Sequence, residues 1–276
     1  MKHRGYVMSD IFHKIKKRLI NSQGGAALRH DWREVREGPL AGLRFYLPSG
    51  EGAGWAERFL TGEYEPEMLA AFGDLARAGG TLYDIGAHIG YYSCAWLKLG
   101  GDRVEAFEPA PYNREILLAT IERNGFSEKI RVHGMAIGDR EGGGTLIASR
   151  LDVGAASAAY LREFGEVELP PGVKAGPLAG IEAMEVPVRK LDGVVAEMGL
   201  PIPAILKIDV EGAEAAVLAG AEELLSQHRP AIVCEVHSIE VALNVADRLA
   251  RMGYDPQILG KNGPHVACLW KWDTRV

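Results

Sequence analysis

Residues 84–90 read Asp-Ile-Gly-Ala-His-Ile-Gly, between an apolar segment and a helical one. Glycine lacks a Cβ and accepts a positive φ, so a ligand can approach the backbone and the free N–H groups of the next helix. The spacing is not Gly-x-Gly-x-x-Gly, which seats a pyrophosphate. The carboxylate of Asp84 suits a ligand with an ammonium and a sulfonium. The turn therefore predicts S-adenosylmethionine (SAM), near Asp84, Gly86, Ala87, His88 and Gly90.

A second candidate contact is Glu108, in the segment Phe107-Glu108-Pro109. It follows the next strand-like segment, about 20 residues after the glycine turn, where an acidic side chain can accept hydrogen bonds from both ribose hydroxyls. We therefore predict that Glu108 binds the ribose and that Pro109 lies in the same loop. Asn113, one turn into the next helix, either supports this loop or only begins the helix.

A third group of residues follows the next strand, in the segment 132–139. Met135, Ala136 and Ile137 would offer an apolar surface to an adenine. Asp139 either caps this loop and accepts a hydrogen bond from the adenine amino group, or is simply a turn residue beside Gly138.

Paired acidic and basic residues follow two later strands. Asp209 and Glu211 stand two positions apart, as do Glu235 and His237, so each pair can face the same way. Ligands of doubly wound sheets bind outside the carboxyl ends of the strands, and we predict these four residues as catalytic, with His237 as a general base. Asp209 is also predicted to contact the cofactor.

Two neighbours of these pairs receive structural roles. Glu214 is assigned to the first turn of a helix, where the macrodipole favours an acidic residue. Lys207 lies in an apolar strand and must find a carboxylate partner, because an unpaired buried ammonium is costly. The four predicted catalytic residues could in principle ligate Mg²⁺, since oxygen-rich sites suit that ion, but we favour a site without metal.

Strand-like and helical segments alternate from residue 81 to residue 132 and again from residue 184 to residue 252. This alternation predicts a parallel sheet covered by helices, with one helix over 213–225. Two final strand-like segments around Lys261-Asn262-Gly263-Pro264 predict an antiparallel hairpin. Residues 142–180, rich in Gly, Ala and Pro, interrupt the rhythm, and we interpret them as an inserted loop that either folds over the site or is disordered.

The first 60 residues are predicted to form an extension of loops, short strands and one amphipathic helix, before a domain over 61–276. The helix over 9–20 has one apolar face and several basic residues. It either docks on its own domain or contacts an anionic membrane surface or a partner.

The bulk properties are those of a globular enzyme. The net charge of −6 argues against general binding to nucleic acid. Three scattered cysteines match neither a disulfide framework nor a zinc site, so a cytoplasmic location is predicted. No segment approaches the roughly 18 apolar residues of a membrane span, and the N-terminus lacks a signal-peptide pattern.

Together the motifs resemble the FkbM family of SAM-dependent methyltransferases. The resemblance covers roughly residues 63–237. The segments that carry it are Glu63-Tyr64-Glu65-Pro66-Glu67, residues 84–93, Phe107-Glu108-Pro109, Ala136-Ile137-Gly138-Asp139, Leu191-Asp192, residues 207–214 and Glu235-Val236-His237.

The resemblance implies the Rossmann-like class I methyltransferase fold, an α/β architecture. Its sheet has seven mostly parallel strands, a C-terminal antiparallel hairpin and helices on both faces. It also implies a cofactor contact at Glu65, and O-methylation of a hydroxyl on a sugar, lipid-linked or natural-product acceptor, with S-adenosylhomocysteine (SAH) as product. The family commonly has Asn where this chain has His88.

Two other functions stay open on the sequence. A nicotinamide-dependent oxidoreductase is disfavoured because the middle glycine of the dinucleotide fingerprint is missing. A non-catalytic SAM-binding or scaffold subunit, recruited through the basic helix, is disfavoured by the carboxylates after both late strands. A homo-oligomer is also compatible with the sequence.

Overall fold

The computed structural model describes residues 29–49, 54–149, 160–161, 181–262 and 265–272. The predicted helix over 9–20 lies outside these ranges. The elements are, in chain order, β1 (Arg29–Glu34), β2 (Arg44–Ser49), α1 (Gly54–Leu60), α2 (Pro66–Ala76), β3 (Thr81–Ile85), α3 (Tyr91–Lys98), β4 (Arg103–Phe107), α4 (Pro111–Arg123), β5 (Ile130–His133), β6 (Ala136–Ile137), β7 (Gly142–Ser149), β8 (Tyr160–Leu161), β9 (Ile181–Arg189), α5 (Leu191–Met198), β10 (Pro203–Ile208), α6 (Glu214–Ala219), α7 (Glu222–His228), β11 (Ala231–Val236), α8 (Ile239–Arg251), β12 (Tyr254–Asn262) and β13 (His265–Trp272).

The central sheet has seven strands in the order β12-β13-β11-β10-β3-β4-β5. Neighbours from β11 to β5 are parallel, whereas β13 is antiparallel to both β11 and β12. The predicted fold class and the C-terminal hairpin are therefore confirmed. The strand order reverses between β3 and β10, and such a switch point opens a crevice at the carboxyl ends of the strands.

The two strands at this switch point are apolar and buried. All five residues of β3 are buried, as are the last four of β10. Their register pairs Asp84 with Lys207 and Ile85 with Ile208. The register thus brings the only two charged side chains of these strands next to each other, one residue below the crevice.

A second sheet, in the order β6-β9-β7-β8, replaces part of the predicted insertion. The prediction of a loop from residue 142 is wrong for 142–149, because β7 pairs with β9 along its whole length. The prediction that 184–188 rejoins the central sheet is also wrong. Val186 and Val188 of β9 are buried and alternate with exposed neighbours, which is the pattern of a strand with one covered face. Residues 150–159 and 162–180, where a lid was predicted, lie outside the described ranges.

The single helix predicted over 213–225 is two helices, α6 and α7. The break falls at Gly220, where an added Cβ would lie 2.0 Å from the carbonyl oxygen of Gly138. Asp192, which lies in α5, caps the start of α7. Its carboxylate accepts the N–H groups of Glu223 (3.0 Å) and Leu224 (2.9 Å). This contact gives the Leu191-Asp192 motif a capping role across 31 residues.

The hairpin β1–β2 packs into the same core as the helices beside it. Phe45 and Leu47 of β2 are fully buried, and Phe45 contacts the rings of Phe59 and Tyr91. Cys94, Cys234 and Cys268 are buried and free. Within the described ranges, no helix combines the length and the apolar character needed to cross a bilayer.

Candidate functional site

A cavity lies at the carboxyl ends of β3, β4 and β10. The turn after β3 forms its floor, the loops after β4 and β5 form one side, and the loop after β10 forms the other. Its lining includes Ile85, Gly86, Ala87, His88, Ile89, Glu108, Pro109, Asn113, Met135, Ala136, Ile137, Lys207, Asp209, Val210 and Glu211.

The turn after β3 is held by the backbones of both neighbouring strands. The N–H groups of Gly86 and Ala87 donate to the carbonyl of Phe107, at 3.0 and 3.1 Å. On the other side, the N–H of Asp209 donates to the carbonyl of Ile85, at 3.1 Å. Gly86 has φ +82°, and an added Cβ would lie 1.9 Å from the carbonyl oxygen of Asp209. Only glycine fits there, because the two backbones are in contact.

Glu108 is buried at the side of the cavity with its carboxylate fixed. It accepts hydrogen bonds from the N–H of His88 (2.8 Å), the N–H of Ala110 (2.9 Å) and the side-chain amide of Asn113 (3.3 Å). Burial raises the pKa of Glu108, and these donors oppose that rise. Asn113 therefore supports the loop, one of the two roles considered for it, and Glu108 is oriented before any ligand arrives.

Asp84 does not line the cavity, contrary to the prediction of a direct cofactor contact. Its side chain is fully buried, accepts the hydroxyl hydrogen of Ser93 at 2.6 Å and lies 3.6 Å from Nζ of Lys207. The physical reason is its position: Asp84 precedes the last residue of a strand buried on both faces, so its carboxylate turns toward α3 beneath the glycine turn. It acts on the cavity through Lys207.

Lys207 has the carboxylate partners that its burial requires. Its Nζ lies 3.2 Å from Asp209 and donates to the carbonyl of Gly86 at 3.3 Å, in addition to its contact with Asp84. Burial alone lowers the pKa of Lys207, but Asp209 and Asp84 outweigh burial and raise it above the ordinary value. One ammonium thus joins the end of β10 to the turn after β3.

His237, at the end of β11, lies among three carboxylates. Its Nδ1 is hydrogen-bonded to Glu214, while its Nε2 lies 3.5 Å from Asp209 and 3.7 Å from Glu211. Burial lowers the pKa of His237, but Glu214, Glu211 and Asp209 together raise it to about 10. At neutral pH the imidazole is therefore protonated, which argues against the predicted role of a general base.

Glu214 was assigned only to the helix dipole, and the structure corrects that assignment. The residue is fully buried, and its Oε1 accepts both the hydrogen bond of His237 and the N–H of Gly212 at 3.0 Å. It does begin α6, but its carboxylate holds the imidazole ring of His237. The predicted catalytic carboxylates Asp209 and Glu211 are on the cavity side of the ring, and Glu214 is on the other side.

Glu65 and Glu235 lie behind the cavity. The hydroxyl of Tyr92 donates to Glu65. Burial, together with the charges of Glu235 and Asp209, raises the pKa of Glu65 to about 7, although Tyr92 and Lys207 oppose the rise. Glu65 also has φ +45°, a conformation rare for a residue with a side chain. Neither carboxylate lines the cavity.

The sequence of the chain is similar to those of known methyltransferases. The 31-O-demethyl-FK506 methyltransferase FkbM of Streptomyces tacrolimicus is 32% identical over 211 residues, which cover 69% of this chain and 78% of that protein. A family model of the methyltransferase FkbM domain matches residues 84–256. The chain belongs to the FkbM methyltransferase family. Methyltransferase relatives of this kind imply the use of SAM.

Other similarities are more distant. The ribosomal protein L11 methyltransferase of Pelotomaculum thermopropionicum is 29% identical over 157 residues, 51% of each chain. The crystal structure of a methyltransferase FkbM from Methylobacillus flagellatus superposes with a TM-score of 0.49 at 18% identity, over 78% of this chain and 52% of that one. This chain therefore spans about half the length of that FkbM structure.

Six of the residues predicted for this FkbM site lie outside the cavity lining. Asp139 is exposed and ion-paired with Arg140 at 3.5 Å, because Gly138 donates to the carbonyl of Arg189 and the chain there leaves toward β9. The side of Gly90 where a Cβ would point faces Leu117 rather than the cavity. Besides Asp139 and Gly90, the predicted residues outside the lining are Glu65, Asp84, Glu235 and His237.

Sequence reasoning missed the aromatic side of the cavity. Phe59, Tyr64, Tyr91 and Tyr92 all line it, and their rings contact one another, with the centroids of Phe59 and Tyr64 4.0 Å apart. The position of Tyr91 and Tyr92 directly after the glycine turn was a usable signal. Phe59 lies in the predicted N-terminal extension, where no motif marked it.

Proposed function

We propose that the chain is a SAM-dependent O-methyltransferase that methylates a hydroxyl of a small molecule, sugar, lipid-linked compound or natural product. The observation that carries the proposal is a single cavity with two chemically different sides. One side joins the carboxylate of Glu108 to the apolar surface of residues 135–137. The other side presents Asp209 and Glu211 beside aromatic rings. The name of the Streptomyces relative, which specifies an O-demethylated acceptor, supports oxygen as the methylated atom.

The first side suits the nucleoside of SAM. Glu108 is fixed by three donors and can accept from the ribose hydroxyls through its remaining lone pairs. Met135, Ala136 and Ile137 offer the adenine an apolar surface, and the backbone of the turn at 86–89 approaches the rest of the cofactor. The carboxylate of Asp209, which also lines the cavity, would favour the positive charge of the sulfonium.

The second side suits the transfer step. The acceptor oxygen attacks the methyl carbon of SAM, a C–O bond forms as the C–S bond breaks, and the sulfonium becomes the thioether of SAH. We assign the hydroxyl proton to Glu211, which lines the cavity and passes it to water, rather than to His237, which already carries a proton. Alignment of the two reactants can contribute roughly 7–11 kcal/mol, so positioning dominates the catalysis.

Further predictions about the protein's surroundings stay predictions. These are the cytoplasmic location, a homo-oligomer and a membrane contact through residues 9–20, which lie outside the described ranges. The carboxylates that line the cavity favour an enzyme over a scaffold subunit.

Isothermal titration of the purified chain with SAM, SAH and NADH tests the proposal. We expect SAM and SAH to bind and NADH not to bind. Glu108→Gln should weaken SAH binding about 10- to 100-fold, because hydrogen bonds to a charged group are worth about 1.5–3 kcal/mol. Glu128→Gln is the matched control, since Glu128 is exposed near the opposite end of β5. Failure of SAM and SAH to bind the folded chain would overturn the proposal.

A second experiment separates the cofactor side from the transfer side. Glu211→Gln should slow transfer of a labelled methyl group to hydroxylated acceptors while SAH affinity stays within about 3-fold of that of the unmodified chain, because Glu211 does not contact the ribose or adenine surfaces. A general base contributes about 10²- to 10⁴-fold, which sets the expected loss of turnover. Equal losses of affinity in Glu211→Gln and Glu108→Gln would show that the division of roles is wrong.

A further inference from the structure

Three side chains at the rim of the cavity present ligand atoms to one another. Asp209 follows β10, Glu211 lies two residues later, and His237 follows β11, so two neighbouring parallel strands bring them together. One ligand atom of each lies within 4.8 Å of the other two. The donors are two carboxylate oxygens and one imidazole nitrogen.

The spacing of these atoms is that of ligands around an ion. The distances from Nε2 of His237 to Asp209 (3.5 Å) and to Glu211 (3.7 Å) exceed the ordinary hydrogen-bond range of about 2.7–3.2 Å. In an octahedral shell with bonds of about 2.1 Å, neighbouring ligand atoms lie about 3.0 Å apart and opposite ones about 4.2 Å. Small rotations of the two carboxylates would bring all three atoms onto one ion.

Glu214 supplies the support that a histidine ligand requires. It is hydrogen-bonded to Nδ1 of His237, and both side chains are buried. Metal-binding histidines almost always donate their second ring N–H to a carboxylate, a carbonyl or a water, and this contact fixes the ring and raises its basicity. The contact directs Nε2 of His237 toward Asp209 and Glu211.

The charges of the cluster also favour a cation. The carboxylates of Asp84, Asp209, Glu211 and Glu214 form ion pairs with Lys207 and His237. Like charges in a buried cluster are costly unless they are compensated. A divalent ion at Nε2 of His237 would add positive charge to this cluster of carboxylates.

We propose that Asp209, Glu211 and His237 form a site for one divalent cation of the Mn²⁺ type, with Glu214 as the positioning residue of His237. The two carboxylates suit Mn²⁺, the imidazole adds a nitrogen ligand that divalent first-row ions accept, and the three ligands include no thiolate of the kind that selects a thiophilic metal. The role of the ion, to hold the acceptor oxygen, rests on the proposed function, whereas its binding does not. Glu211 keeps its second oxygen for the acceptor proton.

Titration of the full chain with Mn²⁺ alone, followed by the electron paramagnetic resonance signal of free Mn²⁺, tests the proposal. We expect one saturable Mn²⁺ per chain. Glu211→Gln should weaken this binding at least about 10-fold by loss of a ligand, and Glu214→Gln about 10- to 100-fold through His237. Glu211 lies in a partly exposed loop, so its substitution leaves the core intact, as circular dichroism would check.

Glu128→Gln removes the same charge from a distant surface and should leave Mn²⁺ affinity unchanged. Absence of a saturable site, or equal affinities of Glu211→Gln and Glu128→Gln, would overturn the proposal. Titration with SAH in the presence of a chelator separates it from the proposed function. SAH binding without Mn²⁺ binding rejects only the cation site, and Mn²⁺ binding without SAH binding rejects only the cofactor assignment.

Discussion

Substitution of Gly86 tests how closely the turn after β3 is packed against the loop after β10. An alanine Cβ there would lie 1.9 Å from the carbonyl oxygen of Asp209 and 3.0 Å from its carbonyl carbon. The atoms in the way are backbone atoms, and the N–H of Asp209 is hydrogen-bonded to the carbonyl of Ile85. The overlap cannot be relieved by rotating a side chain, so one of the two backbones must move.

Two costs add in Gly86→Ala. The first is the positive φ of +82°, which costs a residue with a Cβ about 1–2 kcal/mol. The second is the overlap, and overpacking typically costs about 1–3 kcal/mol. Gly212 is a matched control, because it has φ +106° and no atom within 4 Å of an added Cβ. We therefore expect a loss of unfolding free energy of about 2–5 kcal/mol for Gly86→Ala and about 1–2 kcal/mol for Gly212→Ala.

Urea unfolding followed by circular dichroism measures both losses, provided that the two variants keep the same dependence on denaturant concentration. Gly86→Ala should also weaken SAH binding, since a displaced turn moves the backbone under the cofactor. Equal losses of stability in Gly86→Ala and Gly212→Ala would refute the reasoning, because they would mean that the carbonyl of Asp209 yields freely.

Three further predictions concern stability. Gly220→Ala should lower the free energy of unfolding by about 1–3 kcal/mol through contact with Gly138. Gly73→Ala in α2 is the control: the nearest atom to its added Cβ lies 4.0 Å away, so it should leave stability unchanged or raise it. Thermal melts compare the two variants. Asp192→Ala should cost about 0.5–2 kcal/mol, since two N–H groups at the start of α7 lose their acceptor, and Asp192→Asn should cost less. The pKa of Glu65 is raised from 4.5 to about 7, chiefly by burial. Between these two pH values the carboxyl of Glu65 keeps its proton in the folded chain and has lost it in the unfolded chain. Stability should therefore fall by up to about 3 kcal/mol between about pH 5 and pH 8, and urea titrations should show a flatter profile for Glu65→Gln.

The sequence predicted those features that depend on neighbours along the chain. Apolar runs placed the five parallel strands, and the Lys261–Pro264 turn placed the final hairpin. Because ligands of such sheets bind at the strand ends, the same reasoning led to Glu108, to Met135 and to Asp209, all of which line the cavity. Motif order alone sufficed to indicate the family.

The features that were missed depend on partners distant in sequence. Glu214 contacts His237 across 23 residues, and nothing near Glu214 distinguishes it from an ordinary acidic residue in a first helical turn. The strand β7 begins with three glycines, which favour a loop, and it forms because Val186 and Val188 lie across from it in β9. Asp84 was predicted to contact the cofactor, and its contact with Lys207 was missed, because only the register with β10 brings Lys207 beside it.

The ammonium of Lys207 has a consequence for ligand binding. It contacts the carbonyl of Gly86 on the side proposed for the cofactor and the carboxylate of Asp209 on the side proposed for the acceptor, so a shift of either group changes the contact of Lys207 with the other. Two binding sites that share a positioning group are thermodynamically coupled, and such coupling is reciprocal. Occupancy of the cofactor site should thus change the affinity for the acceptor by the same factor by which the acceptor changes the affinity for the cofactor.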